Sequence, residues 1–203
     1  MNWRIITGAL LALAASTQCG LAADPRYPDW PCAQGKVPEI SLVAVWAGPS
    51  LDDVQDRWKD DAQISALVAK LAARRTPLEE AEKDVEEFLA GSPAKVTSGK
   101  LLFSGLFDTL NAQRSSVMMG LERVTRKQRE AAEKIRSETI DLQGLQSTSP
   151  PDQSKIDELS NQLLWETRIF EDRRRVVKYV CEVPTEIDRR LFALGRTIQQ
   201  QLK

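Results

Sequence analysis

Asp53, Asp56 and Asp60 recur at helical spacing, with Asp52 and Asp61 beside them. Carboxylates so placed can hold a hard cation such as calcium. Two carboxyl groups, one of them in an apolar pocket, can also supply the acid and base of glycoside hydrolysis. The neighbouring residues argue against both chemistries. Arg57 and Lys59 sit among the aspartates, no loop glycine completes a cation cage, and nothing encloses one carboxylate in apolar side chains. A solvated acidic helix face is the expectation. Glu79, Glu80, Glu82, Asp84, Glu86 and Glu87 read the same way.

The cysteines are the second set. Residues 1–22 have the form of a signal peptide. Arg4 gives a positive start, Ile5 to Ala15 form an apolar run too short to span a membrane, and Gly20-Leu21-Ala22 places small side chains, Gly20 and Ala22, at both positions a signal peptidase reads. Cys19 follows Gln18, with Ser16 three positions before it, so it does not meet the pattern of a lipid-anchored cysteine. Cleavage after Ala22 leaves Cys32 and Cys181. In an exported chain, most simply a periplasmic one, two distant cysteines imply one disulfide.

The third set is cationic. Arg123, Arg126, Lys127 and Arg129 form one cluster and Arg173-Arg174-Arg175 another. Six of these, Arg123, Arg126, Lys127, Arg173, Arg174 and Arg175, make up the candidate partner surface. Glu122, Glu130, Glu171 and Asp172 stand beside them and compete for the same charges. Residues 24–92 carry 14 acidic and 8 basic side chains, and residues 93–203 carry 15 and 19. An acidic head and a basic body that attract each other follow from that division. No aromatic residues interleave with the cations, so a nucleic-acid partner is not expected.

Histidine is absent. That removes the commonest general base and the commonest zinc ligand. The chain also has no CxxC, HExxH or GxSxG and no phosphate-binding glycine loop. No catalytic residue, metal site or cofactor is therefore assigned, and the chain is read as a non-enzyme.

The elements that must position these residues are helical. Residues 23–49 hold Pro25, Pro28, Pro31, Pro38 and Pro49 with Tyr27, Trp30 and Trp46, and read as an extended strap. Within it, Ile40 to Ala47 is an apolar run, either a short helix or a buried extended segment. Residues 50–92 read as a two-helix acidic head. Ser50 is the expected N-cap of a first helix through Leu71, and Thr76-Pro77-Leu78-Glu79 is the expected capping box of a second, which Gly91 ends.

From residue 97 the apolar pattern lengthens to heptads. Phe103, Leu110, Val117, Val124 and Ala131 form one series, and Phe107, Leu121, Ile135 and Leu142 its companion. Gly99 and Gly105 are positions where this helix would break near its start. Pro150-Pro151 forces a turn at 147–153, after which Ile156, Leu159, Leu163, Phe170, Val177 and Val180 resume the steps. Two heptad arms joined by a short turn predict an antiparallel hairpin over 93–203, its facing residue numbers adding to roughly 300 by the helical rise. That register sets Arg114 against Glu186, Gln128 against Arg173 and Cys181 near Met119. Pro184 predicts a break near Glu182 and a separate last helix.

The sequence thus predicts one all-α domain over 23–203: a strap, a small helical head and a long coiled-coil hairpin tied by Cys32–Cys181. No second apolar span follows residue 23, so no integral membrane segment is expected. The expected role is a periplasmic interaction or scaffold module that acts through a protein partner or by self-association of the hairpin. Two alternatives follow other features: a holdase-type chaperone, which needs a large exposed apolar patch, and a helical hydrolase, which needs pocketed carboxylates.

Overall fold

The computed structural model describes residues 24–203, so the signal-peptide reading and Cys19 lie outside the described residues. Those described form an all-α fold of six α-helices and one 3-10 segment: α1 Leu42–Val45, the 3-10 segment Gln55–Asp60, α2 Ala62–Ala72, α3 Leu78–Ala90, α4 Lys95–Ser147, α5 Gln153–Val180 and α6 Val183–Gln201. None of these helices is long and apolar enough to cross a membrane.

The head begins differently from its sequence pattern. The Ser50 hydroxyl donates to Asp52 Oδ2 at 2.7 Å and accepts from the Asp52 amide at 3.2 Å, closing a local turn instead of starting a helix. Such side-chain bonds to the nearby backbone compete with helix initiation. The α-helix starts only after the 3-10 segment, eleven residues past Ser50, where the Asp61 carboxylate accepts from the amides of Gln63 and Ile64 at 2.9 and 3.0 Å. The Thr76 capping box does not form either. Thr76 donates back to the Lys70 carbonyl at 3.0 Å, so it finishes α2, and Pro77 takes the N-cap position of α3 without a side-chain cap.

α4 is unbroken through Gly99 and Gly105. These glycines give close approach, not a bend. A Cβ on Gly105 would lie 2.7 Å from Val68 Cγ2 and 2.8 Å from the Trp58 ring. The first half of α4 is the axis of the core. Leu102, Phe103, Leu106 and Leu110 are fully buried against Val68 and Leu71 of α2, Val85 and Leu89 of α3, and Leu191, Leu194 and Ile198 of α6. Trp46, just after α1, stacks on Phe103 with ring centroids 4.1 Å apart. The head is therefore not separate from the body: α6, the end of the expected hairpin, completes the head's core.

Beyond the core, α4 continues beside α5 and the turn lies at 148–152. Cross-arm contacts fix their alignment: Gln128 Nε2 donates to the Phe170 carbonyl at 2.9 Å, Lys134 meets Glu166 at 2.5 Å, and Gln162 donates to Glu138 at 2.8 Å. Gln128 thus bonds to the α5 backbone at Phe170, and it and Arg173 line the same end of the space between the arms. Arg114, 3 % exposed, pairs with Asp188 at 2.7 Å and not with Glu186. The chain breaks at Cys181-Glu182 and Pro184 opens α6, where its missing N–H costs nothing.

Candidate functional site

The strap covers one flank of the α4–α5 pair. Cys32 is bonded to Cys181, with Cα atoms 5.5 Å apart and the two residues 149 positions apart in sequence. Gln34 donates to the Cys181 carbonyl at 2.5 Å, Lys36 pairs with Glu122 at 2.5 Å, and Arg114 donates to the Pro38 carbonyl at 3.3 Å. Asp29 takes Arg126 at 2.9 Å and also Arg129. The α4 residues that meet the strap, Arg114, Glu122, Arg126 and Arg129, share one side of the helix, as spacings near multiples of 3.6 require.

The opposite flank is open. Val117, Gly120, Leu121 and Val124 of α4 and Val176, Val177 and Val180 of α5 line a half-open groove of about 620 Å³. Its walls are almost wholly carbon. Val124 and Val176 remain 37 % and 58 % exposed. Gly120 leaves the floor low, since a Cβ built on it would meet nothing within 4 Å. At the end nearer the 148–152 turn, Lys127, Gln128, Asp172 and Arg173 close the groove. Asp172 is already paired with Arg175 along α5. Among the described residues, neither Lys127 nor Arg173 is within ion-pair distance of a carboxylate.

The six cations of the candidate surface are therefore not one patch. Lys127 and Arg173 come together at the groove end. Arg126 is turned to the strap, Arg175 to Asp172, and Arg123 and Arg174 are exposed outside the groove lining. The aspartates of the head are also separated. Asp53 pairs with Lys100 of α4, whose ammonium holds its carboxyl below the usual range, and Asp56 pairs with Lys59 at 2.6 Å. No group of three or more potential metal ligands is gathered among the described residues.

The sequence placed Val117 and Val124 in the arm-to-arm seam; in the structure they line the groove between the arms, Val117 half-buried and Val124 exposed. A straight α-helix drifts about 20° per heptad relative to a 3.5-residue repeat. The series that buries Phe103 and Leu110 fully thus leaves Val124 over a third exposed. One signal in the sequence pointed there. Val176, Val177, Tyr179 and Val180 are apolar on more sides than one seam can use.

Searches with this chain find no matching family model, no matching curated protein and no matching solved structure.

Proposed function

We propose that this chain is an exported, non-enzymatic binding module, a coiled-coil hairpin on a helical base, which holds a protein partner in the α4–α5 groove. The observation that carries the reading is the apolar, half-open groove itself. A disulfide-stapled strap fills one flank of the same helix pair and leaves the other uncovered. The signal-like residues 1–22 and the Cys32–Cys181 bond support export to an oxidising compartment such as the periplasm. Groove walls made mostly of valine, with Lys127, Asp172 and Arg173 only at one end and no nucleophile beside them, support binding over catalysis.

A photocrosslinking residue placed at Val124 or at Val176 of the exported chain tests this reading. The expected result is a discrete adduct from both positions and none from Lys83 on α3, with Gly120→Leu, which fills the groove, abolishing the adducts. Adducts that survive Gly120→Leu, or equal labelling from Lys83, would overturn it. A second reading, a holdase, draws support from Leu164, Trp165 and Tyr179, which are 73 %, 63 % and 76 % exposed. It expects suppressed aggregation of unrelated unfolded proteins, which a module for one partner does not give.

A further inference from the structure

We infer that the occupant of the α4–α5 groove is an acidic amphipathic helix of another protein; the inference rests on the binding-module reading above. The groove walls have helical spacing on both sides. Val117, Gly120, Val124 and Lys127 recur on α4 at steps of three and four, and Arg173, Val176 and Val180 do so on α5. Two such stripes on neighbouring helices form the seat that a third helix fills with its own knobs. From Val117 to Lys127 the seat is about 15 Å long, close to three helical turns.

Charge decides the chemistry of that helix. The apolar body of the groove takes its apolar stripe; at one end Lys127 and Arg173, unpaired among the described residues, take carboxylates, because Asp172 beside them is held by Arg175. Two cations desolvated by an apolar partner would be left without counter-charge, which is costly. A carboxylate on the partner removes that cost and sets the helix in register. Among the described residues, this chain offers no such helix to a second copy of itself. Its strongly acidic helix is α3, and the apolar side of α3, Ala81, Val85 and Leu89, is buried in the core.

The test uses the full mature, oxidised protein and two synthetic helical peptides of about three heptads. Both carry leucine at a and d positions; one has glutamate at the flanking positions and the other lysine. Fluorescence anisotropy at low salt should show the glutamate peptide binding about tenfold or more tighter than the lysine peptide. Gly120→Leu should weaken the glutamate peptide by about tenfold or more, with the variant's melting temperature no lower than the parent's. Lys127→Glu with Arg173→Glu should invert the preference.

Equal binding of both peptides, or tighter binding of the lysine peptide to the parent protein, would overturn the acidic partner while leaving the groove as a protein seat. Binding indifferent to Gly120→Leu would remove the groove itself, and the proposed function with it. Two further outcomes also overturn the inference. One is a dimer in sedimentation that Gly120→Leu dissolves. The other is phosphatidylglycerol vesicles that displace the glutamate peptide from the parent.

Discussion

Cys32 and Cys181 are the residues whose role follows most directly from sequence, on the expectation that residues 1–22 are an export segment. Joining positions 149 apart restricts the unfolded chain strongly, by roughly 5 kcal/mol on a chain-entropy argument. Cys32→Ala with Cys181→Ala is expected to lower the unfolding free energy by a large fraction of that, seen as a lower urea midpoint. Reductant should then no longer affect the variant, and a midpoint equal to the oxidised parent's would refute the staple. Two glycines make an opposed pair at the same scale. A Cβ on Gly195 would stand 2.8 Å from the Phe103 ring and 3.0 Å from the Val45 carbonyl oxygen, whereas one on Gly120 meets open space. Gly195→Ala should cost about 1–3 kcal/mol through overpacking. Gly120→Ala should stabilise by up to about 1 kcal/mol through helix propensity. Thermal melts of the two variants check both signs. Nothing in the sequence separates these glycines, because the distinction lies in which helix sits opposite.

At the scale of elements, the helices and their breaks were largely legible. Pro150-Pro151 and Pro184 stop and restart the chain where the structure does so. The caps were not. Ser50 and Thr76 have the residue types of N-caps, but each spends its hydroxyl on a nearer partner, Asp52 for Ser50 and the Lys70 carbonyl for Thr76. Local rules name the candidates, and the competition among backbone groups picks the winner. In the outer arms the polar seam residues carry a pH dependence. The Lys134 ammonium, followed by the Gln162 amide, holds Glu166 below the ordinary carboxylate range. A carboxyl depressed in the folded state stabilises above its unfolded value, 4.5, and that contribution is lost as pH falls through the lower folded value. Circular dichroism between pH 5 and pH 2 should therefore show loosening of the outer arms in the parent, in the lower part of that range. Glu166→Gln should flatten that loss. An unchanged acid limb in the variant would show that the pair contributes nothing to the arms.

At the scale of the molecule, stability is polarised. Leu102, Leu106, Leu191 and Leu194 are 0 % exposed at the base, whereas toward the turn Ile156 and Leu163 are 9 % exposed and Ile140 is 62 %. Leu194→Ala should cost about 2–5 kcal/mol and lower the global melt. Leu163→Ala should act on the outer arms alone. Amide exchange should place residues 130–168 in a faster-opening unit than the base. Uniform protection along α4 would contradict this. Polarisation also suits the proposed role, since the groove lies between the rigid base and the outer arms.

Sequence by itself determined the helical class, the breaks at the two proline sites and the pairing of Cys32 with Cys181, because each follows from period, backbone chemistry or elimination within one chain. Only the tertiary structure decided that α6 closes the head's core, that the basic residues divide between strap and groove, and that Val117 and Val124 line an open groove instead of a closed seam. Those outcomes depend on how far a straight helix drifts from its heptad pattern and on which neighbour reaches each face first. A single helix's sequence records the stripe of apolar residues but not how much of that stripe its partners cover. The groove is the part of the stripe that α5 and the strap leave uncovered.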